Sequence, residues 1–239
     1  MGEAKRRQQT GSPSPRKRSG KTLVVTGLVI VAMAIVAGLY YLTLPTGPGS
    51  DLPEVSEDTP EFPDELDRHG ISVGDEDAKV VVREFADYQC PACARFAEAS
   101  RRLKEEYVES GDVRFVYFDL PLPRHTHAVT AAMAARCAGD QDQYWDMHER
   151  LYAEQASWET ASEVQDRFIG YADDLGLDRQ RFRRCMESEK HLEAIEESRD
   201  AATRLQIAST PTVLVDNIPL NRPGWAQLSA VVERELDDQ

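Results

Sequence analysis

Two cysteines separated by two residues stand where an apolar, strand-like run gives way to a helix-like one. The motif Cys90-Pro91-Ala92-Cys93 follows the run at 79–86, which is rich in valine. At this spacing both sulfurs fit within one helical turn, so they can close a strained and reducible disulfide. The junction constrains the chain to a strand, a turn and a helix beginning at the cysteines, and it predicts redox chemistry.

The first cysteine of the motif is expected at the helix N-terminus, with Pro91 at the first helical position. Unpaired backbone N–H groups and the positive end of the helix dipole favour a thiolate at Cys90. Half of a zinc site and two unrelated core cysteines are the alternatives. Zinc needs two more ligands at short spacing, whereas Cys137 and Cys185 stand alone and no histidine lies near Cys90 in the sequence. The redox interpretation is therefore favoured.

A long apolar segment precedes this motif. Residues 22–44 carry no charged side chain, and seven cations lie before them: Lys5, Arg6, Arg7, Arg16, Lys17, Arg18 and Lys21. A helix of this length crosses the ~30 Å hydrocarbon core of a bilayer. A cleaved signal peptide is the alternative, but its apolar region is usually only ~7–15 residues long. We expect a retained single transmembrane helix with a cytoplasmic N-terminus; both interpretations export residues 45–239.

Composition divides the rest of the chain into a basic tail, an acidic tether and one domain. Residues 1–21 form a basic cytoplasmic tail, and 45–68, rich in Pro, Gly, Asp and Glu, is expected to be an extended acidic tether. Residues 69–239 suit one domain with a sizeable core. The whole chain carries a net charge of −14, and since residues 1–21 carry about +6, the exported part carries about −20. This charge argues against nucleic acid or anionic lipid as partners of the exported part.

Periodicity predicts an α/β domain. Strands are expected at 79–86, 113–118, 212–215 and 218–220, a helix between the first two, a helical block at about 126–205, and a last helix at about 224–236. The opening is thus a βαβ unit of the thioredoxin type. The helical block is an insertion into that α/β frame.

With these residues placed, the chain resembles a membrane-anchored member of the DsbA family of thiol-disulfide oxidoreductases. The resemblance covers roughly residues 70–239. It rests on residues 82–89, Val-Arg-Glu-Phe-Ala-Asp-Tyr-Gln, which run into the C-x-x-C, on Thr210-Pro211-Thr212, and on the helical segment 137–152. It implies a thioredoxin-like fold with an inserted helical subdomain.

The resemblance assigns roles to the motif residues. Cys90 would form the mixed disulfide and Cys93, more buried, would resolve it. The best-known members carry a histidine in the second position between the cysteines, where this chain has Ala92. Because alanine supplies no imidazolium to stabilise the thiolate, we expect a less extreme oxidant, still oxidising through helix and loop N–H groups.

Two further positions match the family pattern. Pro211 after Thr210 matches the family's cis-proline, whose loop faces the C-x-x-C and pairs with substrate backbone; alone it would be a strand-start proline. Glu84 matches the family's buried acid, which exchanges protons with the resolving cysteine. A strand-edge glutamate reaching solvent is the alternative, since Arg83 next to it could mark a half-exposed stretch.

The other cysteines and two histidines have candidate roles. Outside the cytoplasm two leftover cysteines more often pair than stay free, and similar second disulfides occur in some family members, so we expect a structural disulfide between Cys137 and Cys185. Two buried free thiols are the alternative. His125 and His127 could be a metal pair, but zinc needs further ligands, so a helix start after the preceding proline turn is favoured and no metal is expected.

The leading hypothesis is an enzyme that introduces disulfides into newly exported proteins. Its partners would be reduced or unfolded exported proteins and a quinone-linked membrane oxidase as reoxidant, and it would need no bound cofactor. A reductase or isomerase of the same fold, kept reduced by a membrane electron donor, is the second hypothesis. A chaperone or binding module with a vestigial dithiol is the third, and the presence of Cys90, Cys93 and Pro211 together argues against it.

Overall fold

The computed structural model describes residues 29–38, 40, 52–55 and 59–238. The chain divides into two units, 1–47 and 48–239. In the first unit, residues 29–38 and 40 are helical. Among the described residues, no helix is both long enough and apolar enough to cross a membrane. The tail predicted at 1–21 lies outside the described residues, and so does most of the anchor predicted at 22–44.

A five-stranded mixed sheet forms the frame of the second unit. Its strands are β1 (Ile71–Val73), β2 (Val80–Ala86), β3 (Val113–Asp119), β4 (Thr212–Val215) and β5 (Ile218–Pro219). The order is β1-β3-β2-β4-β5. Strands β2 and β3 are parallel, whereas the other neighbouring pairs are antiparallel. The parallel pair requires a crossover, and the helix after the C-x-x-C provides it.

Eight α-helices in the described part of this unit surround the sheet. They are α1 (Pro91–Leu103), α2 (Ala128–Gly139), α3 (Tyr144–Ala153), α4 (Gln155–Trp158), α5 (Val164–Asp174), α6 (Arg179–Glu187), α7 (Leu192–Arg204) and α8 (Trp225–Asp237). The six helices from α2 to α7 all lie between β3 and β4, where the sequence predicted a helical insertion. The fold is thioredoxin-like.

The crossover helix α1 follows from its sequence. Pro91 occupies the first helical position after Cys90, and Phe96 and Leu103 recur on one face, 3% and 0% exposed. The opposite face carries exposed ion pairs such as Arg102 with Glu106. A π-helical turn, Lys104–Val108, extends the helix. The chain then reverses at Gly111, whose φ of 87° suits glycine.

The sheet buries both of its faces, because successive residues of β2 point in opposite directions. Val82 belongs to the larger core, which includes residues of α1 and α8. Phe85 belongs to a smaller core with Leu66, Phe118 and Ala202, beneath α7. Glu84 therefore faces α1, while Arg83 faces the opposite side.

The disulfide expected from the sequence is present in the helical insertion. Cys137 of α2 and Cys185 of α6 are bonded, with their Cα atoms 5.8 Å apart. Other helices of the insertion contribute side chains that are 0% exposed: Trp158, Phe168 and Met147. The insertion therefore has an apolar core of its own that continues into the larger core of the sheet.

The prediction of an extended tether at 45–68 is wrong for the last residues of that range. Asp64–His69 forms a 3-10 helix, and Leu66 is 4% exposed in the smaller core. Upstream, the Phe62 N–H donates to Asn217 Oδ1 at 2.5 Å. The acidic composition suggested a solvated segment, but one of these acids, Asp67, is buried against two arginines from the sheet.

We expect the buried carboxylate of Asp67 to contribute more to the free energy of unfolding than the exposed carboxylate of Asp64. Arg83, 2% exposed, donates to both carboxylate oxygens of Asp67 at 2.7 and 2.9 Å. Arg114 donates to Asp67 at 2.6 Å. Asp67→Ala leaves the Arg83 charge without its buried partner, so we expect a loss of about 3–5 kcal/mol in the free energy of unfolding.

Asp64 supplies the matched control, because its carboxylate also contacts Arg83, at 2.8 Å, but is 85% exposed. Asp64→Ala is expected to cost no more than about 1 kcal/mol. Urea unfolding of both variants measures the difference. Equal losses in the two variants would contradict the assignment of Asp67 as part of the folded domain's interior.

Candidate active site

The C-x-x-C motif lies where β2 ends and α1 begins. Cys90 has extended backbone angles and immediately precedes the helix, and its carbonyl accepts the Ala94 N–H at 3.1 Å. Cys90 is 5% exposed and Cys93 is 0% exposed. Both are free thiols in this structure. The first sulfur is therefore at the helix N-terminus, as the sequence predicted, and the second is inside the domain.

The surroundings of Cys90 favour its thiolate. A hydrogen bond from the Cys93 thiol is the largest cause, and the Thr210 side chain and the backbone N–H groups of Cys93 and Ala92 add to it; together they outweigh burial and lower the pKa of Cys90 to about 4. At neutral pH the sulfur is thus a thiolate, the form that attacks disulfides. Ala92 contributes through its backbone although its side chain supplies no charge.

Cys93 is shifted in the opposite direction. Burial raises the pKa of its thiol well above the usual range, and the hydrogen bond to Cys90 and the charge of Glu84 act in the same sense. The two sulfurs are therefore unequal, with one ionised near the surface and one protonated inside. Any reaction in which Cys93 leaves or attacks requires a proton acceptor or donor within the protein.

Glu84 is the buried acid on the same side of the sheet. It is 1% exposed, and burial raises the pKa of its carboxyl to about 7, partly offset by the hydrogen bond from Ser100 and by Lys104. Ser100 Oγ donates to Glu84 Oε2 at 2.7 Å. Glu84 Oε1 has no hydrogen-bond partner among the described residues. The expected burial of Glu84 is confirmed, whereas its proton-transfer role stays a prediction.

The raised pKa of Glu84 predicts a stability that falls with rising pH. The folded protein holds this proton up to about pH 7, whereas an unfolded glutamate releases it near ~4.3. Between these values the folded state binds more protons, so the carboxyl destabilises the fold progressively as pH rises, by up to about 4 kcal/mol. Glu84→Gln is expected to remove this decline, measured by urea unfolding at pH 4.5 and pH 8.

The exposed Glu98 on α1 provides the matched control, since Glu98→Gln removes a carboxyl that is solvated. The prediction fails if Glu98→Gln removes as much of the decline as Glu84→Gln does. In oxidised protein the two cysteine thiols are absent, so this measurement isolates the carboxyl. It is best made in that form.

The Thr210-Pro211 loop lies against the first cysteine. The peptide bond between the two residues is cis, and Cys90 Sγ lies 3.5 Å from the Thr210 carbonyl oxygen. The loop leads directly into β4, the neighbour of β2, which explains why residues 120 positions apart meet. The cis bond expected at Pro211 is confirmed, whereas contact with substrate backbone stays a prediction.

A carboxylate and a glutamine hold the turn between β2 and α1. Asp87, 1% exposed, accepts the Gln89 N–H at 2.7 Å, the Leu122 N–H at 2.8 Å and a contact from His125 Nδ1 at 2.7 Å. Gln155 Nε2 donates to the carbonyls of residues 88 and 90 at 2.7 and 3.1 Å. The sequence assigned neither role. Asp87 stood in the motif before the cysteines, but Gln155 gave no local signal.

The two histidines considered as a metal pair have separate structural partners. His125 contacts Asp87, as above, and His127 immediately precedes α2, with its N–H donating to Gln89 Oε1 at 2.6 Å. Within the part of the chain that the structure describes, neither histidine belongs to a group of three metal-ligating side chains close enough to hold an ion. The helix-start interpretation accounts for both residues.

Comparisons with known proteins agree with this geometry. The family model described as thioredoxin matches residues 67–234. Probable disulfide bond formation protein D of Bacillus anthracis is 28% identical over 169 residues, covering 69% of this chain and 77% of the relative. The crystal structure of oxidised BdbD from Bacillus subtilis has a TM-score of 0.63 at 23% identity, covering 79% of this chain and 97% of that one. The likeness to the BdbD structure shows that the two proteins share a fold.

A second kind of relative is much longer than the matched region. Na(+)/H(+) antiporter NhaA 1 of Salinispora arenicola is 35% identical over 144 residues, which are 60% of this chain but only 21% of the antiporter. The similarity therefore concerns a segment of that protein. Since the thioredoxin family model covers residues 67–234, well over half of the chain, and the C-x-x-C cysteines lie within that range, the chain belongs to the thioredoxin family.

Proposed function

We propose that this enzyme donates disulfide bonds to exported proteins through the Cys90–Cys93 pair. The observation that carries the proposal is the stabilised Cys90 thiolate, whose pKa is lowered to about 4. Stabilising the thiolate stabilises the reduced enzyme, which makes the oxidised enzyme a stronger oxidant. Disulfide bond formation protein D of Bacillus subtilis, 26% identical over 176 residues, supports the same direction by its name.

In the donor reaction, a substrate thiolate attacks Cys90 Sγ of the oxidised pair. A mixed disulfide forms, the Cys90–Cys93 bond breaks, and Cys93 leaves with the electron pair. Burial favours the neutral Cys93 thiol, so Cys93 takes a proton, for which Glu84 is the buried donor. A second substrate thiolate then attacks the substrate sulfur, the new disulfide departs, and Cys90 is released as its stable thiolate.

Each turnover leaves two electrons on the cysteine pair, and a quinone-linked membrane oxidase is the proposed acceptor. The Thr210-Pro211 loop, beside Cys90, is the proposed contact for substrate backbone. The catalytic domain would act on the outer face of the cell (inner) membrane, held by the single-pass anchor at 22–44 with the N-terminus in the cytoplasm. The lack of charge in that segment supports this placement.

The reduction potential of the Cys90–Cys93 pair tests the direction. The full chain is equilibrated in glutathione buffers, and the redox state of each cysteine pair is read by mass spectrometry. We expect a potential of about −120 to −180 mV, the range of strong protein oxidants. A value near about −270 mV, typical of thioredoxin, would instead establish the reductase hypothesis.

A direct transfer assay complements the potential. Oxidised enzyme is mixed with a reduced peptide that contains two cysteines, and formation of the peptide disulfide is followed in the absence of other oxidants. One disulfide per enzyme molecule is the expected yield. Peptide that remains reduced while the enzyme stays oxidised would contradict the donor role.

A further inference from the structure

The second disulfide lies among other side chains that bind metal ions. The sulfur atoms of Cys137 and Cys185 and a ring nitrogen of His191 all lie within 4.8 Å of one another. Within the described residues, this is the one set of three or more such side chains close enough to hold an ion. Tetrahedral zinc with bonds of about 2.0–2.3 Å places its ligand atoms roughly 3.3–3.8 Å apart. The cluster is therefore within reach of that geometry.

A fourth candidate ligand lies beside two of these three side chains. Asp140, immediately after α2, has Oδ2 at 3.2 Å from His191 Nε2 and at 3.5 Å from Cys185 Sγ. His191 Nε2 is buried, and its 3.2 Å contact with the Asp140 carboxylate does not have the geometry of a hydrogen bond. Two sulfurs and one imidazole nitrogen thus converge from α2, α6 and the residue before α7, and a carboxylate oxygen lies beside two of them.

Two of these side chains, Asp140 and His191, border a cavity through which an ion could arrive. A pocket of about 240 Å³ is lined by Asp140 and His191 together with Tyr144, Gly139 and Arg136. Lys190 Nζ contacts both Asp140 oxygens at 2.8 and 2.7 Å, but its side chain is 54% exposed. The ammonium can therefore turn toward solvent without leaving a buried charge.

We propose that reduction of the Cys137–Cys185 disulfide converts this cluster into a four-coordinate Zn²⁺ site formed by Cys137, Cys185, His191 and Asp140. The two cysteines come from α2 and α6, so the metal would replace the covalent connection between these helices by a coordinated one. Zinc is the ion that this ligand set suits, because it accepts thiolate, imidazole and carboxylate in tetrahedral sites. Calcium and magnesium require mainly oxygen ligands.

The conversion has two balanced steps. A dithiol reductant transfers two electrons and two protons to the disulfide, which becomes two thiols while the reductant becomes a disulfide. Zinc binding then displaces a proton from each thiol. The two thiolates and the Asp140 carboxylate carry three negative charges against the two positive charges of zinc, so the occupied site carries a net charge of −1.

The test measures zinc binding in the two redox states. Full-length chain carrying Cys90→Ser and Cys93→Ser is used, because the C-x-x-C dithiol would itself bind metal. Oxidised and dithiol-reduced samples are titrated with Zn²⁺ and analysed for metal after desalting. About one zinc per reduced chain and none per oxidised chain is expected. Co²⁺ in place of zinc should give the thiolate charge-transfer absorption and visible bands of a tetrahedral site.

Ligand variants identify the atoms. In the same background His191→Ala is expected to weaken zinc binding by at least about tenfold, and Asp140→Asn to weaken it in the same direction. His69→Ala and Asp142→Asn serve as controls outside the cluster. Zinc binding that is unchanged in His191→Ala, or weakened equally in His69→Ala, would overturn the assignment.

Circular dichroism shows whether the reduced chain is folded. A reduced chain that keeps its helical signal and binds no zinc overturns the proposal. A chain that loses this signal on reduction should regain it when Zn²⁺ is added, and failure to regain it overturns the proposal as well. These readouts do not depend on disulfide exchange, so they stand apart from the proposed donor activity.

Discussion

Cys90→Ser is expected to abolish disulfide exchange, whereas Cys93→Ser should yield a protein that captures substrate and cannot release it. The two substitutions are chemically identical, and the residues lie within one turn of α1. The difference follows from their surroundings. The pKa of Cys90 is lowered to about 4, while burial raises the pKa of Cys93 well above its usual range.

At neutral pH only Cys90 is therefore both ionised and near the surface. Serine in its place cannot form a disulfide, so the rate should fall to that of the reaction without enzyme. With Cys93 replaced, Cys90 still forms a mixed disulfide, but no internal thiol resolves it. The expected result is a long-lived covalent adduct between the enzyme and a substrate.

The measurement mixes each variant with a peptide disulfide and follows both released thiol and the enzyme–peptide adduct on non-reducing gels. Cys93→Ser should accumulate adduct and Cys90→Ser none. The Cys137–Cys185 bond is present in both proteins and serves as an internal control for intact folding. Adduct on Cys90→Ser, formed through Cys93, would reverse the assigned roles.

The reduced protein is expected to become less stable relative to the oxidised protein as pH falls from ~8.5 to about 4. In the folded reduced protein Cys90 releases its proton near this pH, whereas an unfolded cysteine holds it up to ~8.5. Between these values the unfolded state binds more protons, so stability rises with pH. The contribution is complete above the unfolded pKa and disappears below the folded one.

The slope in this window is at most about 1.4 kcal/mol per pH unit. The oxidised protein has no Cys90 thiol and so lacks this contribution. Glu84 titrates in both redox forms with the opposite sign, so the difference between reduced and oxidised protein largely removes its effect. We expect the ionisation of Cys90 to be one of the largest contributions of a single side chain to the pH dependence of the free energy of unfolding.

Urea unfolding of both redox forms between pH 3.5 and pH 8 measures this difference. The advantage of the reduced form should grow with pH, and Cys90→Ser in its reduced state should not show the growth. A difference that is constant across this range would mean that the Cys90 thiolate is not stabilised by the fold. That outcome would also remove the main support for the donor proposal.

Part of the site was predictable because its causes are local. The valine-rich strand, the proline after Cys90 and the spacing of Phe96 and Leu103 depend on neighbours within a few residues, and the strand and helix formed where expected. The short strand β1 (Ile71–Val73) was not predicted, since three residues give no periodicity. Its antiparallel pairing with β3 is what orders it.

Arg83 and Glu84 show where local information ends. Both are charged and adjacent, a pattern that allowed a half-exposed strand, yet each is at most 2% exposed. Their partners come from elsewhere: Asp67 from the 3-10 helix for Arg83, and Ser100 from α1 for Glu84. Burial of a charge is decided by a distant partner, which no local pattern contains.

The sequence by itself predicted thiol-disulfide chemistry, because a C-x-x-C at a strand-to-helix junction places one sulfur at a helix N-terminus regardless of how that helix packs. Only the tertiary structure decided how the two sulfurs differ. The Thr210 side chain, which helps to lower the pKa of Cys90, reaches it through the pairing of β4 with β2, and Gln155 holds the turn from the helical insertion. Ionisation depends on desolvation and on donors within a few ångströms, and the fold alone brings those together.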